Sequence, residues 1–304
     1  MDNRNPMPLV SVIVPVYNQA QYVAASLQSI CDQDYPNLEI LVCDDCSKDE
    51  TATVVEQFLV AYEGPHVIRF YRNELNKGIS PNVNFLIEQS TGQYLCFFAG
   101  DDLMHVGKVA TQVRYMAENP ECFISYHDVD VFESSSNAHL YFYSERHVPR
   151  NGGYDVLIRH QSFNCGCANM VRSEPKVYCD TEIRHASDWL HYIDMLYASK
   201  GKIHYIPEVL AKYRRHSGNI TKTDSALAYA EVMHIFDLLT RRYPGQTTLV
   251  SQIRGERMMT YGVKFLIGRH FIRGITTFVS GMVQHPRAIL LFSSNLFKFV
   301  FAKR

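Results

Sequence analysis

Tyr94 to Asp102 reads YLCFFAGDD, a run of apolar and aromatic residues suited to a buried strand that ends in two adjacent carboxylates. Side by side, the two Asp residues repel one another and lose hydration where they are part-buried, so the pair is costly unless positive charge shares the site. A hard divalent cation that bridges protein carboxylate and substrate phosphate is one such charge. For an isolated pair of Asp the alternative is a solvated turn that stops a strand. The pair is not isolated, because Asp44-Asp45 follows a second apolar run, Leu38 to Cys43. Polar clusters also follow Val10 to Val14 (Pro15-Val16-Tyr17-Asn18) and Val67 to Tyr71 (Asn73 to Gly78).

Between these four runs lie helical patterns. Residues 20 to 33 carry Val23, Leu27 and Ile30 at helical spacing. Ser47-Lys48-Asp49-Glu50 fits a capping box, with Ser47 as N-cap of a helix running to about Tyr62. Ser80-Pro81 reads as a second start, with a capping side chain and Pro in the first turn, and that helix ends near Gly92. Alternating strands and helices predict βαβ units, hence an α/β fold with a mostly parallel, Rossmann-like sheet flanked by helices. Ligands of such sheets sit beyond the carboxyl ends of the strands. All four polar clusters stand at those ends, and a set of unrelated turns would not need acids at two of them. The first turn, PVYNQAQY, has no glycine, so the dinucleotide fingerprint is missing, and no P-loop occurs. Phosphate must then be neutralised in another way, which returns the argument to a cation at Asp101 and Asp102.

Composition narrows the classes. The 304 residues are 46% hydrophobic and 20% charged, enough for a sizeable core, and the net charge of -1 gives no whole-molecule reason to bind nucleic acid. The opening MDNRNPMPLV does not read as a secretory signal, and no apolar run approaches the roughly 18 residues that span a bilayer. Eight scattered Cys residues then read as reduced thiols in a cytosol. A zinc site from Cys43, Cys46, Cys165 and Cys167 is the alternative, but CxC is poor zinc-knuckle spacing and no His-rich partner is near.

Taken in order, PVYN at 15–18, DDCS at 44–47, NKGIS at 76–80, AGDD at 99–102, SDW at 187–189 and YRRHSGNIT at 213–221 resemble the inverting glycosyltransferases of family 2, which have the GT-A fold. The resemblance covers about residues 8 to 222 and is specific as an ordered set. It implies a GT-A domain over 1–222, a nucleotide-sugar donor, a divalent metal (Mg2+ or Mn2+) and hexosyltransferase-like transfer with inversion. Many bacterial members build surface polysaccharides at the inner face of the membrane. Carried over by position, the resemblance puts nucleotide contacts at Pro15, Tyr17, Asn18, Asp44, Asp45, Lys77 and Gly78. It puts the metal at Asp101, with Asp102 and His216 as further candidates, the catalytic base at Asp188, and a basic element near the diphosphate at Arg214, Arg215 and His216. Three positions depart from the pattern. Ala99 replaces the first acid of DxD, leaving one ribose or metal contact missing or supplied by water. Cys46 replaces a frequent Gly, so the turn there is expected to avoid positive φ. Ser187 replaces a frequent Glu before Asp188.

The reaction so implied has two tasks: taking a proton from the attacking hydroxyl, and neutralising charge that grows on the diphosphate. Asp188 is the candidate for the first, against a plain helix N-cap, a role Asp favours. A metal on Asp101 with Arg214, Arg215 and His216 is the candidate for the second, against a solvated basic turn. HDVDVFESSSNAHLYFYSERH (127–147) reads either as a border of the acceptor cleft or as an edge hairpin. Rival functions are a nucleotidyltransferase, whose first loop would be rich in Gly and basic residues, and a nucleotide-sugar-binding module or inactive paralogue, prompted by Ala99.

From about Ala226 the pattern is helical, giving a C-terminal extension over 223–304. Arg254 to Arg304 holds nine Lys or Arg against one acid, Glu256, and many Phe residues. Such basic amphipathic helices suit an anionic membrane surface, while the final AILLFSSNLFKFVFAKR is too short and interrupted to span one. The alternative is burial against the core or a second subunit in a homo-oligomer. The expectation is a cytoplasmic protein, peripheral on the inner face of the membrane, acting on a glycan or lipid-linked saccharide.

Overall fold

The structure, a computed structural model, describes residues 7–161, 163–216, 225–285, 287–290 and 292–293. The expected boundary at 222, the end of the YRRHSGNIT motif and most of the last aromatic segment lie outside them. The chain divides into two compact units, Met1–Asn219 and Ile220–Arg304.

The first unit carries the strands β1 (Val10–Val16), β2 (Leu38–Asp44), β3 (Val67–Arg72), β4 (Tyr94–Phe97), β5 (Leu103–Met104), β6 (Cys122–Glu133), β7 (His139–Phe142), β8 (Met170–Arg172) and β9 (Lys202–Arg215). Its helices are α1 (Val23–Cys31), α2 (Thr51–Ala61), α3 (Ile79–Gln89), α4 (Lys108–Glu118), the short α5 (Tyr143–Arg146) and α6 (Tyr154–Arg159), and α7 (Ser187–Ser199). One sheet runs β3-β2-β1-β4-β8-β6-β9-β5, with β7 added on β6. The β3-β2-β1-β4 half is parallel, as the alternation of strand and helix predicts. The other half mixes a parallel β6/β9 pair with antiparallel β8 and β5. β2 is buried along its whole length, which fits a central parallel strand read as a continuous apolar run. Register sets Val16 opposite Asp44 and Ile13 opposite Phe97, so the segments after β1, β2 and β4 emerge at one edge.

At the opposite edge a single carboxylate ties four strands together. Glu39 of β2 accepts from the Ser11 hydroxyl of β1 at 2.5 Å, from Arg69 of β3 at 2.9 Å, and from the Thr91 amide ahead of β4 at 2.6 Å. Burial works against its charge, but the Ser11 hydroxyl, the Thr91 amide and hydroxyl and the Arg69 guanidinium together hold the carboxyl below its ordinary range.

Two predicted helix starts are displaced. α2 begins at Thr51, not at Ser47, and Asp49 accepts from the Thr51 amide at 3.0 Å in place of a capping box. α3 begins at Ile79 after Gly78, whose φ of 88° only glycine adopts readily, and the Ser80 hydroxyl donates to the Ile183 carbonyl instead of capping. The Ser80 side chain is taken by a partner distant in sequence, whereas Ser47 donates to Asp44 and accepts from the distant Asn18 amide. The Ser-rich segment is the turn of the antiparallel β6/β7 hairpin at the side of the sheet.

The second unit holds α8 (Ser225–Arg242), α9 (Thr247–Ile267) and α10 (Phe271–Gln284). α9 and α10 form an antiparallel pair in backbone contact: a Cβ at Gly281 would stand 2.6 Å from the Gly255 carbonyl, and one at Gly262 would stand 2.8 Å from the Phe278 amide.

Because the Glu39 carboxyl is lowered, its contribution is fully present above the ordinary Glu value of about 4.3 and is lost as pH falls through the folded value. Glu39→Gln is expected to cost about 1–3 kcal/mol in urea denaturation at neutral pH, and less in acid. An equal cost in both conditions would show that charge is not what Glu39 contributes.

Candidate active site

The loops after β1, β2 and β3 are locked to one another by the acids that end β2. Asp44 accepts from the Ser47 amide at 3.2 Å and from its hydroxyl, and Ser47 Oγ in turn accepts from the Asn18 amide at 2.8 Å. Asn18 Oδ1 accepts from the Lys48 amide at 2.8 Å. Asp45 accepts from Asn73 Nδ2 at 2.8 Å, the Lys77 amide at 2.9 Å and the Gly78 amide at 2.7 Å. Its own amide donates to the Val16 carbonyl at 3.0 Å, which joins this loop to β1. Asp44, Asp45 and Oδ1 of Asn18 therefore shape the loops, while Tyr17, Asn18 and Lys77 are exposed and Pro15 is half-buried. The turn does not avoid positive φ at Cys46: its φ is 59°, and its thiol reaches the Glu74 carbonyl at 3.5 Å.

The two Asp residues after β4 part company. Asp102 turns inward and is buried, its Oδ1 accepting from the Arg214 amide at 2.9 Å. Burial first, then the neighbouring Asp101 and Cys165, push the Asp102 carboxyl well above the ordinary range, although bonds from the Arg214 amide and the Cys167 thiol act the other way. Arg214 Nε donates to the Asp101 carbonyl at 2.7 Å, so the end of β9 and the Asp101-Asp102 loop hold each other in both directions. Its guanidinium lies 4.9 Å from the ring centre of Tyr22 and 4.7 Å from that of Phe132. Asp101 Oδ2 meets His216 Nε2 at 2.9 Å, and the His216 ring packs on Tyr22 with centroids 4.8 Å apart. The end of β9 brings Arg214, and the residue just after the strand, His216, to the Asp101-Asp102 loop.

Asp188 stands in the first turn of α7, exposed, while Ala186 takes the N-cap position. Its Oδ1 accepts from the Trp189 amide at 2.8 Å, and the Trp189 indole is anchored on the Leu157 carbonyl at 2.7 Å. Burial raises the Tyr143 and Tyr192 hydroxyls, and for both the next contributors include Asp188, Cys165 and Cys167. The same two thiols, 3.6 Å apart, flank Asp102. Asp188 and the Cys165-Gly166-Cys167 turn thus both act on the Tyr143 and Tyr192 hydroxyls. Gln112 Nε2 supports that turn from below, donating to the Ala168 carbonyl at 3.0 Å, and is itself joined to the buried Lys108 at 2.8 Å.

Sequence reasoning missed Tyr22 in this cluster, since a lone aromatic at a helix start carries no local signal, while Phe132 and Tyr143 belong to the 127–147 segment that it did single out. Among the described residues no group of three His, Cys, Asp or Glu side chains is arranged to hold a metal ion. Asp101 and His216 do fit a cation that takes most of its ligands from substrate and water, as Mg2+ and Mn2+ do beside phosphates. Asp102 does not fit: its carboxyl is pushed toward the neutral form and accepts from the Arg214 amide.

Comparison with known proteins agrees with this geometry. Residues 11–176 match the model of Glycosyl transferase family 2. A Bacillus subtilis (strain 168) protein with the provisional name teichuronic acid biosynthesis glycosyltransferase TuaG is 28% identical over 218 residues, covering 71% of this chain and 83% of its own. The Escherichia coli protein named UDP-Glc:alpha-D-GlcNAc-diphosphoundecaprenol beta-1,3-glucosyltransferase WfgD is 29% identical over 157 residues, which is 52% of this chain and 58% of its own. Among solved structures, S. aureus TarS 1-349 in complex with UDP-GlcNAc has a TM-score of 0.58 at 16% identity and covers 90% of each chain. The mannosyltransferase PcManGT from Pyrobaculum calidifontis, in complex with GDP-Man and Mn2+, has a TM-score of 0.61 at 17% identity, covering 96% of this chain and 81% of its own. At those identities the structures speak for the fold. With more than half of its 304 residues inside the family model, the chain belongs to glycosyl transferase family 2 and is a glycosyltransferase of the GT-A fold.

Proposed function

We propose that the protein transfers a sugar, with inversion, from a UDP-linked donor to a hydroxyl of a glycan or lipid-linked saccharide in cell-envelope polysaccharide synthesis. The observation that carries this reading is the convergence of Asp101 and Asp102 after β4 with Arg214 and His216 at the end of β9. An inverting displacement requires a base and a group that binds the departing diphosphate, and that convergence is suited to the second task. The UDP-GlcNAc held by TarS and the UDP-Glc in the name of WfgD support the donor class. The diphosphoundecaprenol in that name supports a lipid-linked acceptor. Among the described residues no helix is long and apolar enough to cross a membrane. The setting proposed is the cytoplasmic, inner face of the membrane, with the protein bound peripherally.

In this reading Tyr17, Pro15 and Lys77 border the nucleoside, on loops that Asp44, Asp45 and Asn18 hold in shape. Asp188 accepts the proton of the acceptor hydroxyl as its oxygen bonds to the anomeric carbon, and the electron pair of the breaking bond leaves with the nucleoside diphosphate. Arg214 and His216 lie where charge grows on that leaving group. Asp101, with His216, would hold a divalent cation, which when bound supplies further charge to the diphosphate. Asp102 is assigned a structural part, holding the Arg214 backbone.

Asp188→Asn is expected to lower kcat by about 10²–10⁴-fold while calorimetry shows donor affinity nearly unchanged. Normal turnover would exclude Asp188 as the base, and loss of donor binding would make it a positioning residue. Slow release of UDP by the wild type without acceptor is the expected mark of a competent centre, whereas binding without release would favour a nucleotide-sugar-binding module. A second pair of variants separates the adjacent acids. Asp101→Ala is expected to abolish stimulation by Mg2+ or Mn2+, while Asp102→Asn, which can still accept from the Arg214 amide, keeps it. Stimulation that survives in Asp101→Ala would place the cation elsewhere.

A further inference from the structure

Among the described residues of the second unit, α10 exposes an apolar face. On α10 the face made by Gly274, Thr277 and Gly281 is buried, and its glycines lie against the α9 backbone. On the opposite face Ile272 is 83% exposed and Val283 78% exposed, with Ile275 and Val279 between them at 57% and 45%. Positions 272, 275, 279 and 283 fall on one narrow stripe of a helix. The stripe lies between Arg269 and Arg287, both exposed, one just before the helix and one just after it. Arg273, beside the stripe, rests its guanidinium 4.5 Å from the Phe265 ring centre.

We propose that this face of α10 lies in the surface of an anionic bilayer, with Ile272, Ile275, Val279 and Val283 among the acyl chains. The inference deepens the peripheral membrane placement proposed above and rests on it. Charge selects lipid over protein as the occupant. From residue 257 to 304 the sequence has eight Lys or Arg and no Asp or Glu. A second copy docked by the same face would therefore bring cation against cation, whereas anionic headgroups complement it. Four aliphatic side chains at about 1.5 Å of rise per residue make a stripe of roughly 17 Å, which suits a helix lying flat and not one crossing. The tight glycine contact gives α10 a fixed rotation against α9, so the stripe is presented in one direction.

The test is flotation of the full chain with vesicles of phosphatidylcholine alone or with about one-third phosphatidylglycerol. It is run beside transfer to a water-soluble acceptor analogue and sedimentation without lipid. The wild type is expected to float with the anionic vesicles only. The quadruple variant Ile272→Gln, Ile275→Gln, Val279→Gln, Val283→Gln is expected to lose about 10-fold or more of that partition, while transfer to the soluble analogue is unchanged. Arg269→Gln with Arg287→Gln is expected to weaken binding in a salt-dependent way. If the wild type floats and the quadruple variant floats equally, this face is wrong and the membrane placement stands. If the wild type floats with neither vesicle, both fall. A wild-type dimer that the quadruple variant reduces to a monomer would overturn the lipid assignment in favour of a second copy.

Discussion

The catalytic end of the molecule depends on how the chain accommodates two neighbouring carboxylates at the end of β4. Two charged Asp side chains there would repel each other in a part-dry setting. The fold separates them by environment. Asp102 is drawn into the interior, where burial favours its neutral form and its oxygen receives the Arg214 amide. Asp101, also buried, turns its carboxylate to His216 instead. The returning bond from Arg214 Nε to the Asp101 carbonyl makes the arrangement reciprocal, so neither the β4 loop nor the end of β9 can shift alone. Preorganised charge of this kind is effective because it is not reorganised during reaction.

The same economy governs the loops after β2 and β3. A carboxylate that receives several backbone amides is a stiff joint, and Asp45 receives those of Lys77 and Gly78 while its side chain also meets Asn73. Acids that look like ligand contacts in a motif can thus act one step removed, by fixing the backbone that carries the exposed Tyr17 and Lys77. Glu39 plays a comparable part at the far edge, where it ties β1, β2, β3 and the approach to β4. Acidic residues serve the sheet at both of its ends, through different partners.

The first half of the fold was legible because its strands are continuous β-branched or apolar runs and its helices carry a 3.6-residue period. Local capping rules failed where a longer-range bond was available: Ser47 serves Asp44 and Asn18, and Ser80 serves Ile183. Cys46 adopts positive φ despite its side chain, on a turn whose thiol bonds to Glu74. The mixed second half was less legible, since β8 is three residues long and β9 pairs with strands distant in sequence. Ordered motifs named the residues that the strand ends bring together at Asp101, Arg214 and His216, but not the bonds between them. That Asp102 is buried and receives the Arg214 amide follows from long-range packing and from nothing local in the sequence.

The two units also differ in what they leave unsatisfied. The catalytic unit sets Asp188, Tyr17 and Lys77 out toward water at the strand ends, over loops in which buried acids are bonded. The second unit exposes aliphatic side chains, along a helix whose other face is packed to backbone contact. Exposed polar groups on a rigid frame suit a small polar ligand, whereas exposed aliphatic groups beside unopposed cations suit an extended surface that is apolar and anionic at once. The contrast in exposed chemistry between the two units is thus the physical basis of the membrane placement proposed above.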